Sequence, residues 1–371
     1  MNLDRESQQI FQDSARDWVL NSAPISHFRH QRDSQPYVSG RELWQEQVEL
    51  GWPGIMVPEE LGGSGLGMQE LSLVIEQMGR SLTASPLLST GLIAVSALSL
   101  CEQTDFSRSR LTSIASGELT VALATEEGNH HAPHCVSATA RQHEGQWLLN
   151  GRKIRVADAN SADAFLVSAK IEASDQLGVF LLPAEGVSVT PLAIFDSREH
   201  GNISFDAIAV PEQALLVARD SSTSLLDQIL DRARIGLAVE MLGSANAAFE
   251  MTLDYLKIRE QFGQLIGSFQ ALQHRAAKMY IELELARSVV DAALLAVDEG
   301  STEIPLLASQ AKALVGDTLN HITNETIQLH GGIGMTDEHD AGLFIKRARV
   351  TEYLYGSSAF HRDRYARLRG F

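Results

Sequence analysis

Residues 259–279, REQFGQLIGSFQALQHRAAKM, place two arginines, four glutamines and two phenylalanines on a strongly helical background. By periodicity alone, Arg259, Phe262 and Gly263 mark a helix end and a turn. Ile266, Phe269, Leu272 and Ala276 then form the apolar stripe of a second amphipathic helix. The same spacing on either side predicts long helices over about 225–258, 267–298, 304–330 and 341–353. Four such segments imply a helical bundle.

Toward the N-terminus the pattern changes twice. Short β-rich runs, TVALAT, QWLLNG, AFLVSA, GVFLLP and VSVTPL, fill about Thr120 to Val217 between Gly, Asn, Asp and Pro. Before them, helical spacing runs through Ile10, Phe11, Trp18 and Val19 and again through Leu71, Val74, Ile75 and Met78. Gly62, Gly63, Gly65 and Gly67 fit neither G-x-G-x-x-G nor the P-loop spacing and read as a turn between helices. The predicted fold is a multidomain α+β chain. It has an N-terminal helical domain (1–117), a middle antiparallel β-domain (118–220) and a C-terminal four-helix bundle (221–371).

A chain of 371 residues exceeds what one hydrophobic core serves. Its net charge of −17 argues against a nucleic-acid partner, which needs a concentrated basic face. Two cysteines, Cys101 and Cys135, are too few for a disulfide framework or a four-thiolate zinc site, and a cytoplasmic location is expected. The N-terminus carries early acids and no apolar signal region. Ser81 to Cys101 is uncharged, but Pro86, Gly91 and its hydroxyl residues favour two packed helices over a membrane span.

A dinucleotide requires cationic or amide donors for its pyrophosphate and backbone that allows close approach. Arg259, Gln328, Gly331, Gly332 and Gly334 are of those types, although the glycines equally suit an ordinary loop after a helix ending near His330. The order R-x-x-F-G-x-x-I-x-x-F-Q-x-x-Q from Arg259 to Gln273 resembles the acyl-CoA dehydrogenase family. So do WPGIMVPEELGGSGLGMQELSLVIEQMGR (52–80) and QLHGGIGMTDEHD (328–340), and the helical, β, helical order runs over nearly the whole chain.

The resemblance implies FAD as cofactor, held by Arg259, Phe262, Gln273, Gln328, Gly331, Gly332, Gly334 and Thr125. It implies removal of an α-proton from an acyl-CoA thioester with β-hydride transfer to the flavin, and an electron-transfer flavoprotein as acceptor. The family's arginine segment serves the neighbouring subunit's flavin, so a dimer of dimers is implied. A helix over 240–259 would separate its ends by roughly 28 Å, too far for one chain to bring both to one flavin ring.

The base is where the sequence departs from the best-known members. Their glutamate precedes a glycine in a C-terminal Y-E-G-T-S motif, and Tyr355 stands there in Tyr353-Leu354-Tyr355-Gly356-Ser357. An alternative family position falls on Ala233. Glu240, within the apolar run Ile235–Gly243, resembles the glutamate of the steroid-degradation branch and is the candidate catalytic base. A buried or interface Glu paired with an arginine such as Arg234, or an exposed one, is the structural alternative.

The flavin-ring region departs too. Thr125-Glu126-Glu127-Gly128-Asn129 and Arg155-Val156-Ala157 stand for T-E-P-x-x-G-S-D and W-I-T, and Ala157 has no hydroxyl. His130, His131, His134 and Cys135 are too close in sequence for a tetrahedral site without a distant ligand, so no metal is expected. Lys346, Arg347 and Arg349 suit CoA phosphates, a solvated helix face or a subunit contact. Two functions remain: dehydrogenation of a bulky acyl-CoA such as a steroid side chain, or a non-catalytic partner subunit that completes another chain's FAD site.

Overall fold

The computed structural model describes residues 3–34, 41–174, 176–220 and 224–371; the first two residues of the N-terminal reading and the domain limit at 221 lie outside them. Six helices come first: α1 (Arg5–Ser22), α2 (Ile25–Asp33), α3 (Arg41–Glu49), α4 (Met68–Arg80), α5 (Val95–Leu100) and α6 (Asp105–Ala115). Eight strands follow: β1 (Val121–Ala124), β2 (Thr139–His143), β3 (Gln146–Ala157), β4 (Ala164–Ile171), β5 (Leu177–Pro183), β6 (Ser188–Leu192), β7 (His200–Pro211) and β8 (Leu215–Leu216). The C-terminal part holds α7 (Leu225–Ile258), the two-residue strands β9 (Glu260–Gln261) and β10 (Gln264–Leu265), α8 (Gln270–Asp298), α9 (Ile304–His330), α10 (Ala341–Tyr353) and α11 (Ser358–Leu368).

By packing, the chain forms two units. One comprises Gln31–Leu71 and Ala84–Ala233; the other comprises Leu3–His30, Ser72–Thr83 and Arg234–Phe371. In the first, the sheet runs β6-β7-β3-β2-β4-β5-β8, with β1 beside β4. Its pairings are antiparallel except β1–β4 and β2–β4, which are parallel. Leu149, Phe165, Val167, Phe180, Leu182, Ile203 and Phe205 form its core. Trp147 meets Phe180 edge-on at 5.5 Å.

Within Ser81–Cys101 the chain forms one continuous helix rather than two. Leu88–Ala94 is π-wound and leads directly into α5. Inside the π segment, Thr90 Oγ1 accepts from Val121 N (2.9 Å), tying the helix to β1. Among the described residues no helix is long and apolar enough to cross a membrane.

In the second unit two glycines let helices touch. A Cβ on Gly79 of α4 would lie 2.1 Å from Glu240 O, and one on Gly243 of α7 would lie 2.1 Å from Glu76 O. Ser244 Oγ donates to Gly79 O at 2.8 Å across the same contact. Close approach here holds Glu240 in the interior.

Candidate functional site

The opening stretch forms one end of the second unit. After α7 stops at Ile258, β9 and β10 pair as a tight hairpin. Phe262 and Gly263 take φ of +54° and +78°, as a two-residue hairpin turn requires. Phe262 is 92% exposed and meets Phe269 only edge-on, at 6.2 Å. Arg259 has no side-chain partner among the described residues. Gln273 is exposed and donates to Gly267 O at 3.0 Å.

The end of α9 lies beside the end of α7. Thr252 Oγ1 meets Thr326 Oγ1 at 2.9 Å, and the Tyr255 ring stacks on His330 at 4.4 Å. The segments carrying Arg259 and Gln328–Gly334 are thereby brought to one end of this unit. Gln328 is exposed, and a Cβ on Gly331 or Gly332 would meet nothing within 4 Å. Gly331 has φ +63°, where a side chain is strained, and Gly334 packs on Ile327 and His330. Partnerless donors beside accessible backbone fit the anionic pyrophosphate of FAD. Thr125 belongs to the other unit, buried at the end of β1.

Glu240 is 6% exposed, and its Oε1 lies 3.1 Å from Arg347 NH1. Arg347 is itself 1% exposed, with the Phe28 ring 5.5 Å from its guanidinium. Glu240 is thus a buried Glu paired with an arginine, the structural alternative the sequence allowed, and the arginine that meets it is Arg347. One expectation is corrected: Arg347 lies inside rather than on a solvated or phosphate-facing surface. Helical spacing could not choose between two arginines a hundred residues apart in sequence.

Three other carboxylates in the family-like segments are also engaged. Asp340 holds Arg29 Nε at 2.8 Å. Glu127 accepts from Lys153 Nζ at 2.7 Å and from Ser137 N at 2.6 Å. Burial would raise the Glu127 carboxyl, but the Lys153 hydrogen bond and charge and the N–H groups of Ser137 and Ala138 outweigh it and hold it low. Glu126 meets His131 Nδ1 at 2.5 Å, while His134 turns to Asp227 at 3.0 Å, so these histidines take separate partners.

Sequence reasoning missed a buried charged cluster beyond the end of β3. Asp158 accepts from Ser89 Oγ and lies 3.8 Å from Arg198. Glu199 Oε1 is buried without a hydrogen bond among the described residues. Burial, then the charge of Asp158, pushes the Glu199 carboxyl up to about 7. It missed Lys153 and Lys312 as well, both fully buried. The available signal was a lone lysine in an apolar run, as in Ala311-Lys312-Ala313-Leu314-Val315.

Known proteins match along most of the chain. Residues 5–118 match the acyl-CoA dehydrogenase N-terminal domain and 223–368 the acyl-CoA dehydrogenase C-terminal domain. Acyl-CoA dehydrogenase FadE12 of Mycobacterium tuberculosis is 29% identical over 365 residues, covering 94% of this chain and 92% of the relative. A solved Tcur3481-Tcur3483 steroid ACAD variant is 30% identical with TM-score 0.89, covering 98% of this chain and 97% of that one. The ChsE4-ChsE5 complex of Mycobacterium tuberculosis contributes a chain 25% identical with TM-score 0.89, covering 100% and 99%. With helical, sheet and helical parts in the same order, the chain belongs to the acyl-CoA dehydrogenase family, FAD-dependent oxidoreductases acting on the CH–CH bond of acyl-CoA.

Proposed function

We propose that this chain dehydrogenates a bulky acyl-CoA, such as a steroid side-chain thioester, to the 2-enoyl-CoA, and passes electrons to an electron-transfer flavoprotein. The likeness to a steroid ACAD supports the substrate class. When bound, FAD supplies the hydride acceptor. Arg259, Phe262 and Gln273 hold it with Gln328, Gly331, Gly332 and Gly334, and Thr125 is the FAD contact proposed for the other unit. The observation that carries this reading is the partnerless Arg259 beside a phenylalanine that is 92% exposed. Such groups await a ligand and a second chain, so a dimer of dimers is the working assembly. Its divisions are 1–117, 118–220 and 221–371, and its location is the cytoplasm.

Glu240 is the base in this reading, released from Arg347 when substrate enters, and Tyr355 forms part of the acyl-CoA wall where relatives keep their glutamate. The test is to purify the chain, record the flavin absorbance band and bleach it with acyl-CoAs of increasing bulk. Glu240→Gln should keep the band and lose nearly all bleaching. A protein that stays colourless with added FAD sinks the self-sufficient enzyme.

The Glu240–Arg347 pair favours a second reading, in which the chain is the non-catalytic partner of another dehydrogenase and completes that chain's FAD site with Arg259 and Gln328. The similar chain from the ChsE4-ChsE5 structure comes from a complex. Co-expression with a neighbouring dehydrogenase decides: flavin and activity independent of the partner exclude this reading.

A further inference from the structure

The turn after α10 combines strain with an unusual concentration of buried basic groups. Tyr355 is buried with φ +59°, and Gly356 follows with φ +110°. Only a minority of non-glycine residues adopt such a φ, and in a bulky residue it persists where surrounding contacts enforce it.

Here the contacts come from three helices. Lys312 Nζ on α9 donates to Glu352 O and Gly356 O, each at 3.0 Å. Arg234 Nε on α7 donates to Tyr355 O at 3.2 Å, and His361 Nε2 on α11 reaches the same oxygen at 3.1 Å. Because a carbonyl only accepts, His361 carries its proton on Nε2, leaving Nδ1 for Ser309 Oγ at 3.5 Å. Burial first, then Arg234 and Lys312, pushes His361 down to about 2, so it is neutral.

Among the described residues no carboxylate lies within ion-pair distance of Lys312. Burying an ammonium without a counter-ion is costly, and methionine would fill the same space. What lysine adds is direction: one nitrogen draws the carbonyls of 352 and 356 together and closes the turn around Tyr355.

We propose that Lys312 is a positioning residue that, with Arg234 and His361, clamps the 352–356 turn in its left-handed form and presents Tyr355 to the acyl-CoA site. This rests on the reading above that Tyr355 walls that site.

The test is Lys312→Met in the full chain, with two readouts. Amide hydrogen exchange at 353–358 should rise about tenfold or more, while thermal stability holds or increases because a buried charge is gone. Affinity for a saturated acyl-CoA, measured by calorimetry, should fall about tenfold, with Lys312→Arg restoring part of it. Unchanged exchange overturns the clamp. Faster exchange with unchanged acyl-CoA affinity overturns the placement of Tyr355 at the site, and so the presentation role. Loss of affinity in step with falling stability also overturns it. Should the methionine variant fail to fold, His361→Leu removes one donor on Tyr355 O and is judged by the same outcomes.

Discussion

Two regions of the second unit treat charge in opposite ways. At the solvent-facing end, Arg259 and Gln328 present donors with no partner among the described residues, next to glycines with open space. In the interior, Glu240 and Arg347 satisfy one another, and Lys312 is bonded to two carbonyls. A charged donor with no hydrogen-bond partner is tolerable only in water, so the outer end can wait for an anion and another chain. In the interior, charged groups must find their partners within the protein.

Substitutions at five positions probe that contrast. Arg347→Met removes the buried guanidinium that meets Glu240 and should cost about 3–5 kcal/mol in chemical denaturation. The double change with Glu240→Met should recover most of the loss. If Arg347→Met is as stable as the parent, the interior pair is not what the contrast takes it to be.

Arg259→Ala should lower flavin affinity about 10–100-fold, as expected for a charge-assisted hydrogen bond, while stability of the flavin-free protein moves by less than about 0.5 kcal/mol. Fluorescence titration with FAD measures the first and thermal unfolding the second. A large stability loss would mean that Arg259 is structural.

Glu199 extends the comparison to a buried carboxyl with no cation bonded to its orphaned oxygen. Its folded value, about 7, lies above the ordinary 4.5, so its protonated form favours the fold. That contribution is present below pH 4.5 and is lost as pH rises through 7. Glu199→Gln should therefore gain stability relative to the parent across that window, by about 1–3 kcal/mol. A difference independent of pH would refute it.

Gly332→Ala is the smallest case. Nothing lies within 4 Å of the added carbon, so stability should change by less than about 0.5 kcal/mol while flavin affinity drops. Unchanged flavin affinity would remove Gly332 from the site.

Four of the five C-terminal helices were legible because their apolar spacing is long and regular, whereas the short, polar α11 (Ser358–Leu368) was not. α7, α9 and α10 begin and end where periodicity puts them, while α8 starts at Gln270 because a hairpin and a short turn intervene. The β-rich runs were legible from composition. The parallel neighbours of β4 were not, because strand order depends on pairings between distant segments. The π-wound start of the Leu88–Leu100 helix also escaped notice, since Thr90 is claimed by Val121 rather than by its own neighbours in sequence.

By itself, the sequence determined the family, the helical and sheet parts and the residues with the chemistry to hold a dinucleotide, because these depend on local spacing and residue type. Only the tertiary structure decided which charge meets which. Glu240 found Arg347, and the carbonyls around Tyr355 found Lys312, Arg234 and His361. The reason is that a buried charge takes whatever partner packing brings within about 3 Å, and separation along the chain carries no information about that distance.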